Sequence, residues 1–262
     1  MDLGLKDRVA IVTGGNRGIG YAISAALLKE GAHVIVASLD PARNAQAIEK
    51  LKDKSSGRVI GVPTDLNDAV AVESLFKTTL AEFGRLDILV NNATNISQGS
   101  FFSMTEQNWD RAFDNKLRGA VRCIGHAVPP MRERKWGRII NISGGAAWTP
   151  QLGAITTGIN NAAVQNLTVA LANELGRDGI LVNAIVPTAV RTERHDKNIR
   201  DAMAKTGQSE TEVLKPRVAK IPLGRMGTAD EIASVAVFLA SERASFVNGA
   251  AWAVDGGVSA RL

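Results

Sequence analysis

Three glycines spaced as Gly14-x-x-x-Gly18-x-Gly20 are the residues of this chain that most directly specify a chemistry. They stand in Thr13-Gly14-Gly15-Asn16-Arg17-Gly18-Ile19-Gly20, after the apolar run Val9-Ala10-Ile11-Val12 and before a helical pattern. Glycine lets the backbone turn sharply and lets a phosphate approach the main chain. A helix N-terminus behind the turn offers that phosphate free N–H groups and the positive end of the helix dipole. Strand, glycine turn and helix in this order predict a dinucleotide-binding turn, with Gly14, Asn16, Arg17, Gly18, Ile19 and Gly20 as its contacts.

The elements that must position this turn are legible as an alternation. Short β-branched runs at 9–12, 33–37, 59–62, 88–90, 138–142, 180–185 and 250–254 are separated by longer helical patterns. This predicts an α/β fold of the Rossmann type, a doubly wound, seven-stranded parallel sheet with helices on both faces. Amphipathic spacing predicts helices over 22–30, 42–52 and 70–83, and longer ones over 107–134 and 153–176, the first kinked at Pro129-Pro130. No repeat or linker divides residues 1–262, which are expected to form a single domain. The polar segment 193–220 breaks the rhythm after the sixth strand, where a substrate lid is expected.

Composition narrows the classes. The 262 residues are 45% hydrophobic and 22% charged, as in a soluble globular protein. The run 9–12 is too short to span a bilayer, so no membrane partner is expected. A single cysteine, Cys123, excludes an internal disulfide and points to a cytoplasmic setting. The net charge is +5, and Arg118, Arg122, Arg132, Arg134 and Lys135 cluster between Arg111 and Arg138. Without a dense block or stacking aromatics they read as a solvated face, and no nucleic-acid partner is expected. The three histidines are scattered, so no metal site is expected.

The end of the second strand, Val36-Ala37-Ser38-Leu39-Asp40, bears on the choice of dinucleotide. An acid at the strand end holds the ribose diol of NAD and repels a 2′-phosphate. Here Ser38 takes that place, with Arg17 and Arg43 near, which favours NADP; Asp40 turned inwards would favour NAD.

Further motifs follow in order: Gly84-Arg85-Leu86-Asp87, Asn91-Asn92-Ala93, Asn115-Lys116-Leu117-Arg118-Gly119, Asn141-Ile142-Ser143, Pro187 with Thr192, and Val254-Asp255-Gly256-Gly257. With the glycine turn, they make residues 5–258 resemble the short-chain dehydrogenase/reductase family, close to its ketoacyl-reductase-like members. The resemblance implies that Asp65 meets the adenine ring and that Asn91, with Ala93 beside it, meets the adenine ribose. It places Pro187, Val190 and Thr192 at the nicotinamide carboxamide, and puts Thr188 where the family usually has glycine. It further implies a small-molecule substrate and a homo-oligomer, dimer or tetramer, built on the helices 107–134 and 153–176.

In the resembling enzymes a serine at the end of strand five is followed thirteen residues later by tyrosine and, four on, by lysine. Counting from Ser143 gives Thr156 and Asn160, and the only tyrosine, Tyr21, sits beside the glycine turn. A phenol of pKa about 10, lowered by a nearby lysine, exchanges protons at neutral pH; a threonine hydroxyl only orients or relays. The expected site is therefore Ser143 polarising a carbonyl, Asn115 holding a water, Thr156 and Asn160 in the replaced positions, and His195 as the remaining candidate acid. The leading expectation is an atypical NADP-dependent oxidoreductase of a specialised carbonyl or conjugated substrate. The alternatives are a catalytically silent cofactor-binding subunit, paired in a hetero-oligomer with an active relative, and a non-redox lyase or dehydratase.

Overall fold

The structure is a computed structural model and describes residues 2–52, 57–94 and 99–259. In order along the chain come β1 (Val9–Thr13), α1 (Gly18–Lys29), β2 (His33–Ser38), α2 (Pro41–Lys52), β3 (Val59–Pro63) and α3 (Ala69–Phe83). Next are β4 (Ile88–Asn91), α4 (Glu106–Phe113), a π turn over Asp114–Arg118, α5 (Gly119–Glu133), β5 (Gly137–Ile142) and α6 (Ile155–Leu175). After β6 (Ile180–Pro187) and the two-residue β7 (Val190–Arg191) follow α7 (Glu193–Thr206), α8 (Glu210–Val218), β8 (Gly227–Thr228), α9 (Ala229–Ala240) and β9 (Ala251–Val254).

Seven strands form one sheet in the order β3-β2-β1-β4-β5-β6-β9, every pair parallel. Side chains alternate across it. Ala10, Val12, Val34, Val36, Val90 and Ile185 face the layer of α1 and α9. Val9, Ile11, Ile35, Leu89, Ile139 and Val182 face the opposite layer with Leu75 of α3, Cys123 and Met131 of α5, and Leu175 of α6. Strands covered on both faces need apolar residues at every position, which is why the runs are unbroken. Each fully buried Ile or Leu contributes about 1.5–3 kcal/mol from burial.

Three features depart from the sequence expectation. The helix expected over 107–134 is α4, the π turn and α5; α5 runs through Pro129-Pro130, and the departure from α geometry lies upstream at Asp114–Arg118. The small parallel pair β7–β8 gave no periodic signal because each strand has two residues. α9 was missed although Thr228 and Glu231 form a capping box, with Glu231 Oε2 accepting from Thr228 N at 2.8 Å. The basic cluster is satisfied locally: Arg118 pairs with Asp114 at 2.7 Å and Arg132 with Asp178 at 2.6 Å. No described helix is long and apolar enough to cross a membrane.

The amino ends of β1, β4 and β5 are tied by one charged knot. Asp87 is fully buried; it accepts from Val9 N at 2.9 Å and from both Arg85 Nε and Nη2 at 2.7 and 2.6 Å. Arg8 links it, at 3.3 Å, to Glu242 at 3.0 Å. The Arg8 and Arg138 guanidinium groups lie 3.7 and 4.3 Å from the Trp136 ring centre, and Trp136 Nε1 donates to Glu242.

The polar segment 193–220 is ordered as α7 and α8. Arg191 reaches Asp196 of α7 at 2.8 Å and Glu210 of α8 at 2.9 Å. Thr192 caps α7 by accepting from His195 N, while Ile199 and Val213 are buried. His195 Nε2 meets Arg217 Nη1 at 3.1 Å, and its Nδ1 is buried without a partner. Burial first, then Arg217, holds the imidazole below its ordinary pKa of 6.5.

Two outcomes follow. Asp87→Ala strands Arg85 and Arg8 and leaves Val9 N unpaired; denaturant unfolding is expected to show a loss of about 3 kcal/mol. Because His195 is neutral when folded, the α7–α8 pairing is at full strength above the ordinary imidazole pKa and weakens as pH falls below it. Limited proteolysis within 193–218 is therefore expected to accelerate between about pH 7.5 and about pH 5.5, and His195→Gln to remove that acceleration.

Candidate active site

A cleft of about 520 Å³ opens at the carboxyl ends of β1, β2 and β4. β1 and β4 are neighbours although β2 and β3 come between them in sequence, so the cleft lies where the winding of the sheet reverses. Of the expected contacts, Gly14, Asn16, Arg17, Gly18, Ile19, Ser38, Asp65, Ala93 and Thr192 line it, with Asn115 from the π turn. Gly14 and Gly18 have φ of +63° and +53°, a region that suits glycine. Gly20 does not line the cleft; a Cβ there would lie 2.2 Å from the Gly14 carbonyl oxygen, so its role is to let α1 pack under the turn.

The first turn of α1 is electrostatically vacant. Arg17 at its N-cap makes no side-chain cap, and no acidic residue sits in the first turn. The N–H groups and the dipole are thus available to an anion. At the far end of the cleft, Asp40 accepts from Arg43 N at 3.0 Å and pairs with the Arg43 guanidinium at 3.8 Å. Ser38 Oγ donates to Asn44 Oδ1.

Several expected contacts lie elsewhere. Asn91 is buried behind the cleft, where its Nδ2 donates to Asn141 Oδ1 at 2.9 Å and its Oδ1 has no partner. Its neighbour Asn92 does the holding: Nδ2 donates to the carbonyl oxygens of Thr13 at 2.9 Å and Gly14 at 3.3 Å. Pro187 and Val190 end β6 and form β7 without lining the cleft. Thr188 Oγ1 is buried and unpartnered, and it is the nearest atom to where a Cβ on Gly145 would stand. His195 is engaged by Arg217 and lies outside the cleft lining, which takes in its neighbours Glu193 and Arg194.

The expected positions on α6 point away from Ser143. Thr156 and Asn160 are both fully buried, and Asn160 Nδ2 donates back to the Thr156 carbonyl oxygen at 2.9 Å. One residue further along α6, the buried Asn161 is the side chain turned towards Lys116 and Ser143. Asn161 Oδ1 accepts from Lys116 Nζ at 2.5 Å. Its backbone oxygen accepts from Ser143 Oγ at 3.1 Å, and Ser143 Oγ accepts from Gln165 Nε2 at 2.9 Å. A Cβ on Gly144 would fall 2.7 Å from Asn161 Nδ2, so glycine leaves room for Asn161. α6 holds neither tyrosine nor lysine, and Tyr21 packs from α1 against the core.

Lys116 itself was missed. It is 8% exposed, and burial lowers its pKa to about 8. The signal was present: Ala112, Ala120, Cys123 and Ala127 form the buried stripe of this helical stretch, and Lys116 stands in that stripe as its one charged member. Cys123, in contrast, is pushed up to about 12 by burial and is a packing residue. No group of three or more potential metal ligands occurs among the described residues.

Residues 14–259 match the family described as enoyl-(acyl carrier protein) reductase. The chain is 36% identical over 253 residues to 3alpha-hydroxysteroid dehydrogenase of Mediterraneibacter gnavus, covering 96% of this chain and 97% of that one. It is 34% identical to 3-oxoacyl-[acyl-carrier-protein] reductase of Staphylococcus aureus, covering 95% and 97%. The crystal structure of L-sorbose reductase from Gluconobacter frateurii, complexed with NADPH and L-sorbose, superposes over 100% of both chains with a TM-score of 0.97 at 32% identity. With the cleft at the sheet reversal and the glycine turn beneath it, the chain belongs to the short-chain dehydrogenase/reductase family.

Proposed function

We propose that this protein is an NADP-dependent oxidoreductase that reduces a carbonyl or conjugated group of a small molecule without the tyrosine–lysine relay. The observation that carries the reading is the anion-ready cleft, lined at one end by the uncapped α1 N-terminus, the Gly14–Gly18 turn and Arg17 and at the far end by Arg43. The donor set fits a phosphorylated dinucleotide: a Cβ on Gly14 would stand 3.1 Å from Ala93 Cα and close the turn, and Thr188 Oγ1, on the segment after β6, is a buried polar atom without a partner. The NADPH bound by the sorbose reductase of similar fold supports the same choice.

Bound there, NADPH supplies a hydride to the carbonyl carbon. The α1 N–H groups would hold the pyrophosphate, Arg17 and Arg43 would pair with the 2′-phosphate beside Ser38, and Asp65 would meet the adenine. Thr188 and Thr192 orient the carboxamide. The helices α7 and α8 cover the substrate, and their sequence sets which substrate fits. The buried, unpaired Cys123 suits a reducing cytoplasm. Val121 of α5 and Ile159 and Val169 of α6 are 49%, 41% and 47% exposed, apolar residues for a homo-oligomer of two or four copies. The absence of tyrosine and lysine from α6 favours one second reading, a silent cofactor-binding subunit joined to an active relative.

Fluorescence titration with NADPH and with NADH tests the cofactor. NADPH is expected to bind more tightly, and Arg43→Glu to weaken NADPH by roughly 10- to 100-fold while sparing NADH; binding of neither overturns the reading. Turnover is tested with L-sorbose and a 3-oxoacyl thioester plus NADPH, and with a 3α-hydroxysteroid plus NADP in the oxidative direction. Reduction or oxidation of one of them by the protein alone supports the enzyme, and cofactor binding without any turnover supports the silent subunit.

A further inference from the structure

A buried amine stands where this site otherwise has no titrating group. Lys116 comes from the π turn between α4 and α5, a geometry that recurs at functional positions because it re-aims side chains. Its Nζ crosses to α6 and donates to Asn161 Oδ1 at 2.5 Å. Around it, a small cavity is walled by Thr13, Asn91, Ala93, Ile142 and Val164, none of them ionisable. Ala93 walls this cavity and the large cleft alike, so the ammonium lies one residue behind the cleft surface. Asp114 on the same turn is taken by Arg118 and Arg122 and leaves Lys116 without a counter-ion. Asn91 Oδ1, an unpartnered buried acceptor, lines the same cavity.

A lysine with no carboxylate partner is an expensive way to join two helices. A glutamine or an apolar residue would bridge or fill the space at lower cost. The arrangement makes sense if the proton of that lysine is used.

We propose that Lys116 is the proton donor of this site, reaching from the π turn to the place that α6 leaves without an acid. This rests on the hydride-transfer reading above. As hydride reaches the carbonyl carbon, a C–H bond forms and the C=O π bond opens onto oxygen. An N–H bond of the Lys116 ammonium breaks and an O–H bond forms, so the carbonyl is reduced by two electrons and the cofactor oxidised by two. The neutral amine, still donating an N–H to Asn161 Oδ1, regains its proton from solvent in the cleft. Asn161 is the positioning residue that holds the amine, and Gly144 leaves it the room to do so. Burial sets the amine near pKa 8, so it is charged at neutral pH and able to part with a proton.

Two variants separate this from a structural role. Lys116→Gln keeps a donor for Asn161 and loses the acid; Lys116→Met loses both. For a proton donor, both variants are expected to bind NADPH as the parent does and to lower kcat by about 10²–10⁴-fold. The parent's reduction rate is expected to fall as pH rises through about 8, the lowered lysine value, and neither variant to show that step. Rescue of kcat by Lys116→Gln, or a parent pH profile kept by the variants, overturns the proposal while leaving the hydride-transfer reading intact. A parent that binds NADPH and turns over none of the three substrates overturns both. Independently of activity, ¹⁵N NMR of lysine Nζ, assigned by the signal lost in Lys116→Met, is expected to titrate near 8 and to move when NADP is added; a titration at the ordinary 10.5 overturns the proposal even in an active enzyme.

Discussion

The site depends on how closely the ends of β1 and β4 are drawn together. Thr13 Oγ1 donates to the Val90 carbonyl oxygen at 3.2 Å and accepts from the backbone N–H groups of Asn92 and Ala93 at 2.9 and 3.1 Å. Asn92 returns the contact to the Thr13 and Gly14 carbonyl oxygens. With Gly20 beneath, there is no space for a single added carbon, since its Cβ would sit 2.5 Å from Asn92 Nδ2. This clasp fixes the Gly14 turn, points α1 at the cleft and sets Ala93 as the wall between cleft and buried amine. Adjacent parallel strands supply no such link of their own at their ends, because their ladder hydrogen bonds stop where the strands stop. Side chains have to close it.

What was legible in the sequence followed from periodicity and local turn chemistry. All seven strands of the large sheet and their parallel winding could be read because the inner strands are buried on both faces and so written as apolar runs, while the edge strands β3 and β9 keep short β-branched or aromatic runs. The glycine turn could be read because glycine has a conformational meaning at positions 14 and 18. The catalytic corner was harder. On a helix, one residue turns a side chain by about 100°, and it is Asn161, one residue after Asn160, that meets both Lys116 and Ser143, a contact that counting along the chain does not reveal. Lys116 was hidden for a different reason. It stands four residues from both Ala112 and Ala120, within the buried stripe, but lysine is a residue type that usually keeps its charge in solvent, so residue type outweighed position.

The buried corner also shows how one substitution constrains others. Asn161 of α6 is short and neutral, and its Oδ1 accepts from an ammonium that arrives from the π turn. An asparagine needs the space beside it, and Gly144 gives that space at the cost of a side chain on the β5 loop. Gly145 in turn lies against Thr188, the residue whose hydroxyl has no partner. Lys116, Asn161, Gly144, Gly145 and Thr188 form a connected set, and the effect of changing any one depends on the others, as expected for groups in direct contact.

The knot of Asp87, Arg85, Arg8, Glu242 and Trp136 stands at the opposite ends of these strands from the cleft. It joins the amino ends of β1, β4 and β5 to the segment after α9, and none of its members approaches the cleft. Foldedness and chemistry are thus written at the two poles of one sheet, with the core between them. Variation at the lower pole changes how much protein survives in the cell; variation at the upper pole changes what the survivors do. A lineage can therefore change the groups of the cleft without renegotiating the scaffold that carries them.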